Sequence, residues 1–90
     1  MKTLRIFISG TVQGMIFRKY LEEQAKEIGI RGFVRQMEDG RVEILAEGID
    51  DRVTKMLELC KRGTVHAHVR NVEVENFNHQ GFKEFKILKI

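Results

Sequence analysis

The residues best suited to chemistry lie in one stretch, Ser9-Gly10-Thr11-Val12-Gln13-Gly14-Met15-Ile16-Phe17-Arg18. Gly10 and Gly14 stand four residues apart, and glycine tolerates backbone angles that other residues resist. A tight turn of this kind can direct successive backbone N–H groups inward as an anion-binding nest. A helix that begins just after it adds its own unpaired N–H groups and the positive end of its dipole. Arg18 falls in the first helical turn, where a guanidinium can meet phosphate oxygens with two parallel hydrogen bonds. The stretch is a candidate site for a small phosphate-bearing ligand. The plainer reading is a common strand-to-helix turn followed by a solvated arginine. Two familiar phosphate loops are excluded: the G-x-G-x-x-G dinucleotide fingerprint is missing, and no Gly-Lys-Ser/Thr follows.

The elements that must position this stretch follow from hydrophobic periodicity. Leu4, Ile6 and Ile8 alternate with Arg5, Phe7 and Ser9, which predicts a first strand over Leu4 to Ser9. Phe17, Leu21, Ala25 and Ile28 recur on one helical face, and Gly29 supplies a stop. Gly32 to Met37 reads as a second strand, Glu38-Asp39-Gly40 as a turn, and Arg41 to Glu47 as a third strand. Asp50 or Asp51 is expected to cap a second helix. Its buried stripe is Val53, Met56, Leu57 and Cys60, and it ends at Gly63. A fourth strand lies within Val69 to Phe77, with Val72 and Val74 inward. Phe85, Ile87 and Ile90 suggest a short fifth strand at the edge. This order predicts an α+β, ferredoxin-like βαββαβ two-layer sandwich, with an antiparallel sheet and both helices on one face. Such a fold hosts many functions and names none of them.

Ninety residues, 42% of them hydrophobic, suffice for one domain with one core, residues 1–90. A net charge of +3 mildly favours small anions and does not by itself indicate nucleic acid. The one cysteine, Cys60, excludes an intrachain disulfide and reads as a buried small hydrophobe. No apolar run reaches membrane-spanning length, and Arg5 interrupts what would otherwise resemble a signal segment. A cytoplasmic protein is expected, and the charged edge strand (Lys83, Glu84, Lys86, Lys89) predicts a monomer.

Gly10-Thr11-Val12-Gln13-Gly14-Met15-Ile16-Phe17-Arg18 resembles the first signature of the acylphosphatase family, G-x-V-Q-G-V-x-F-R, with Met15 in place of valine. Gly32-Phe33-Val34-Arg35, then Gly40-Arg41-Val42 and Gly48, match the family's second pattern, with Gln36 where the family carries asparagine. The resemblance implies the fold already predicted and a hydrolase of carboxyl-phosphate mixed anhydrides that uses no metal or cofactor. By position, Gly10, Thr11, Val12, Gln13, Gly14 and Met15 would supply backbone N–H groups to the phosphate. Arg18 would bind its oxygens, and Gln36 would hold the attacking water. Glutamine keeps the amide but adds a methylene, which moves that amide by up to ~1.5 Å, and a misplacement of about 1 Å can cost ~10²-fold in rate. A slow but real acylphosphatase is therefore expected, acting on a small acyl phosphate and releasing inorganic phosphate. The alternative is a catalytically silent domain that binds phosphate or anionic partners.

Two features point elsewhere. His66 and His68 would share a strand face, but no third ligand accompanies them, so no metal site is expected. Arg31-Gly32-Phe33-Val34 echoes part of an RNA-recognition signature on the wrong strand. Glu43 and Glu47, read as outward-facing with no aromatic beside them, would repel a phosphate backbone. No nucleic-acid partner is expected.

Overall fold

The alternating N-terminal segment becomes the longest strand of the computed structural model, which describes residues 1–89. Strand β1 (Lys2–Thr11) buries Leu4, Ile6 and Ile8 completely or nearly so. The chain continues through α1 (Met15–Ile28), β2 (Arg31–Gln36), β3 (Val42–Gly48), α2 (Asp50–Arg62), β4 (His68–Asn76) and β5 (Phe85–Leu88). The sheet order is β4-β1-β3-β2-β5, and β3, at its centre, is buried throughout.

Both helices pack on one face. Phe17, Leu21 and Ala25 of α1 and Val53, Met56, Leu59 and Cys60 of α2 join Leu4, Ile6, Ile8, Val34, Val42, Ile44 and Ala46 in a single core. The residues of each strand in this core are two apart, as one face of a sheet requires. This is the predicted ferredoxin-like α+β sandwich. Burial pushes the Cys60 thiol up to about 12, so it stays protonated and packs as a hydrophobe. Among the described residues no helix is long and apolar enough to cross a membrane.

The structure corrects several details. Strands β1 to β4 pair antiparallel, but β5 pairs parallel to β2, so the sheet is mixed rather than antiparallel. The reason is connectivity. Strand β4 runs antiparallel to β1 and ends at the opposite end of the sheet from Thr11. The chain crosses there, so β5 must climb in the direction of β1 and β2. Ile90, expected in this strand, lies outside the described residues.

Asp50 and Asp51 do not cap α2. Ile49 occupies the cap position with no side-chain bond, and the two aspartates sit in the first turn, where they complement the helix dipole. Leu59 joins the buried stripe, while Leu57 is half-buried. Val74 shares the inward parity of Val72 but is 41% exposed, because β4 is an edge strand.

The largest correction concerns the face away from the helices. Glu43 and Glu47 are not solvated there; they are 2% and 1% exposed. Glu43 accepts from the guanidiniums of Arg5 and Arg35. Glu47 accepts from Thr3 Oγ1 at 2.7 Å and from the backbone N–H groups of Gln80, Gly81 and Phe82 at 2.7, 3.0 and 3.0 Å. The segment from β4 to β5 therefore closes over this face. Aromatics are also present on it, contrary to the sequence pattern's suggestion. Phe7 lies 4.7 Å beneath the guanidinium carbons of both Arg5 and Arg41. Phe33 meets Phe82 edge-on at 5.9 Å.

Candidate active site

The sheet's geometry gathers one set of ends. The C-terminal ends of β1 and β2 lie beside the N-terminal ends of β3 and β4, because the intervening pairings are antiparallel. Helix α1 starts at the same end. The Gly10–Arg18 stretch, Gln36 and the β2–β3 turn are thereby brought to one rim.

Gly10 and Thr11 close β1 and pair with Val69 and His68 of β4. Gly10 adopts φ +136°, and a Cβ there would lie 2.2 Å from the His68 carbonyl oxygen, so no other residue fits. Val12 is fully buried and anchors the loop in the core. Gln13 turns outward, but its side chain is engaged: Nε2 donates to the Gly10 carbonyl at 3.3 Å and to the Gly40 carbonyl at 3.1 Å. It thus ties the loop to the β2–β3 turn. Gly14, at φ 98°, is the residue before α1, and Met15 is the first residue of the helix.

The start of α1 has no side-chain cap, and its first turn contains no acidic residue. Among the described residues, the N–H groups of Val12, Gln13 and Gly14 donate to no protein acceptor. The first-turn N–H groups of the helix have no intrahelical acceptor either. A run of donors thus leads into the positive helix end, with no acidic side chain bonded to it among the described residues. Arg18 bends back over this loop, its Nε donating to the Gly14 carbonyl at 3.3 Å, which leaves the terminal guanidinium nitrogens to bind something else.

Gln36 is the last residue of β2 and pairs with Val42. It alternates with Gly32 and the buried Val34, so its side chain is on the helix-covered face, the same face as α1. It is half-buried, and its amide makes no hydrogen bond among the described residues. Gln36 also lines a groove of about 480 Å³ formed with Arg35, Met37 and Glu38. Its neighbour Arg35 faces the other way and is held by Glu43.

Two features of this rim were not visible in the sequence. The bracing bonds of the Gln13 side chain depend on a carbonyl 27 residues away. Arg41 and Arg70 flank the loop on the opposite face of the sheet, in a cleft shared with Gly10 and Gln13. The histidine pair His66 and His68 is exposed, and no group of three potential metal ligands occurs among the described residues.

An acylphosphatase family model matches residues 4–87. The chain is 42% identical over 82 residues to an acylphosphatase of Haloarcula marismortui, covering 91% of this chain and 90% of that protein. It is 43% identical over 83 residues to one from Syntrophobacter fumaroxidans, covering 91% and 86%. The crystal structure of acylphosphatase from Bacillus subtilis superposes with a TM-score of 0.93 at 33% identity, covering 99% of this chain and all of that one. The chain belongs to the acylphosphatase family, a class of small hydrolases, and its fold is that of the family throughout its length.

Proposed function

We propose that this chain is a single acylphosphatase domain that hydrolyses small acyl phosphates to a carboxylate and inorganic phosphate. The observation that carries this reading is the unengaged run of N–H groups at the start of α1 beneath the Arg18 guanidinium. The phosphoryl group sits in the loop from Gly10 to Met15, and Arg18 binds its oxygens. Gln36, from the facing strand end, accepts a hydrogen bond from the attacking water and donates one to it as needed.

In the reaction the water oxygen forms a bond to phosphorus as the bond from phosphorus to the acyl oxygen breaks. The carboxylate leaves with that electron pair, and the water's protons pass to the phosphate and to solvent. A carboxylate is a good leaving group, so the protein needs no strong acid or base. Its task is to hold water and phosphoryl group in line and to stabilise charge on the phosphoryl oxygens with fixed dipoles and a guanidinium. As drawn, the chemistry needs no metal or cofactor. We place the protein in the cytoplasm as a monomer without a nucleic-acid partner, in keeping with its inert, buried cysteine.

The test is steady-state hydrolysis of benzoyl phosphate with inorganic phosphate as inhibitor. Competitive inhibition and a loss of about 10²–10³-fold in kcat for Arg18→Ala are expected, the usual cost of removing a key charge-stabilising donor. Phosphate binding without turnover would make this a binding domain instead.

A further inference from the structure

The rim carries a second cleft, bordering the proposed phosphate loop on the face of the sheet away from the helices. It holds about 240 Å³ and is lined by Ser9, Gly10, Gln13, Gly40, Arg41 and Arg70. Its origin is a mismatch between strands. The β1–β3 ladder ends at Ile8 and Val42, while β1 continues to Thr11, leaving Ser9 to Thr11 without a partner on the β3 side. On the other side, the β1–β4 register slips between Ser9 and Gly10, so that Asn71 faces Ser9 and Val69 faces Gly10. Arg70 is the extra residue of this β-bulge. Because Val69 and Val72, three apart, both pack on the core, Arg70 is turned outward and is exposed. Bulges are a common means of redirecting a side chain beside a site.

The electrostatics of the cleft are one-sided. Asp39 also lines it, but its carboxylate is occupied by Arg41, accepting from the backbone N–H at 3.0 Å and from Nε at 2.9 Å. These bonds, the backbone one foremost, hold Asp39 below the usual carboxylate range. Among the described residues the terminal nitrogens of Arg41 donate to no side chain, and its guanidinium lies over Phe7. Arg70 makes no ion pair among the described residues. The cleft thus offers one uncompensated positive charge, a second guanidinium fork and the Ser9 hydroxyl. It shares Gly10 and Gln13 with the proposed phosphate loop.

We propose that this cleft is a subsite for a second anionic group on the acyl part of the substrate, with Arg70 as its specificity-determining residue. The preferred substrates are then acyl phosphates whose acid carries a further carboxylate or phosphate, rather than simple monoacyl phosphates. This rests on the acylphosphatase reading above and adds what the acyl end meets.

The experiment compares benzoyl phosphate with its 3-carboxy and 4-carboxy derivatives, and with a 4-carboxamide derivative of matched size but no charge. Wild type is measured beside Arg70→Ala and Arg70→Gln. The ring carboxylate's effect on leaving-group reactivity is common to all proteins and cancels between them. The expected result is that Arg70→Ala loses about tenfold more kcat/KM on the better carboxybenzoyl substrate than on benzoyl phosphate or the carboxamide, mainly through KM, as one exposed charge-assisted pair should give. Arg70→Gln should show the same pattern, and added salt should narrow the gap in wild type. Equal losses on all four substrates, or none on any, would overturn the subsite while leaving the enzyme reading intact. Failure of wild type to hydrolyse any of them would remove both.

Discussion

Backbone N–H groups at Gln80 to Phe82 and at Val12 to Gly14 are used in opposite ways. Gln80, Gly81 and Phe82 converge on the buried carboxylate of Glu47, so the chain supplies its own anion. At the other end of the sheet, Val12, Gln13 and Gly14 lead into an uncapped helix, and among the described residues no acidic side chain bonds to them. The first arrangement fastens the β4–β5 segment across the sheet. The second leaves its donors without a protein acceptor among the described residues and sets the Arg18 guanidinium beside them, the arrangement proposed above to take an external anion. A backbone nest is therefore not a ligand site by virtue of its shape; what matters is whether the fold also brings a carboxylate to it.

The sharpest way to break this contrast is at Arg18. Arg18→Ala is expected to lower kcat by about 10²–10³-fold while thermal unfolding shifts little, since among the described residues the side chain bonds only the Gly14 carbonyl. The mirror experiment is Glu47→Ala. It leaves Thr3 and three N–H groups without their acceptor, at a cost of about 2–3 kcal/mol, which lowers Tm by roughly 10 °C or more in a domain this small. The remaining folded protein should keep its kcat, because Glu47 lies at the opposite end of the sheet from the proposed phosphate loop.

Titration extends the comparison. Burial pushes the Glu47 carboxyl up, but hydrogen bonds from Gln80, Thr3 and Phe82, with the nearby His79, outweigh it and hold the group below its ordinary value of 4.5. The folded state then binds a proton less readily than the unfolded state. The stabilisation is complete above that value and is lost as pH falls through the depressed one. Urea unfolding should therefore show wild type losing more stability on acidification below about pH 4.5 than Glu47→Gln does.

The smallest expected effect is at Gln36. Gln36→Asn shortens the side chain by one methylene and should raise kcat on benzoyl phosphate several-fold, since placement errors near 1 Å cost up to ~10²-fold. A lower kcat would show that Gln36 holds water in its own way.

Much of this was legible in the sequence because it depends on local pattern. The alternation of Leu4, Ile6 and Ile8, the Phe17–Leu21–Ala25 stripe and the Gly10–Arg18 motif fixed the strands, the helix and the loop, and all are where the pattern put them. What the pattern missed depends on pairing between distant segments. Glu43 and Glu47 look solvent-facing by alternation, yet their partners come from β1, β2 and the β4–β5 segment. The bulge at Arg70 shows only in register, and the direction of β5 only in where the chain crosses the sheet. The cap of α2 is not legible in sequence because Asp50 and Asp51 suit a first turn as well as a cap.

One nest is filled by the protein's own Glu47, and the other is proposed to take phosphate. Backbone amide NMR during titration with inorganic phosphate tests it directly. Saturable shifts are expected for the amides of Val12 to Arg18, largely lost in Arg18→Ala, with those of Gln80 to Phe82 unmoved. Shifts at Gln80 to Phe82, or none at the start of α1, would contradict it.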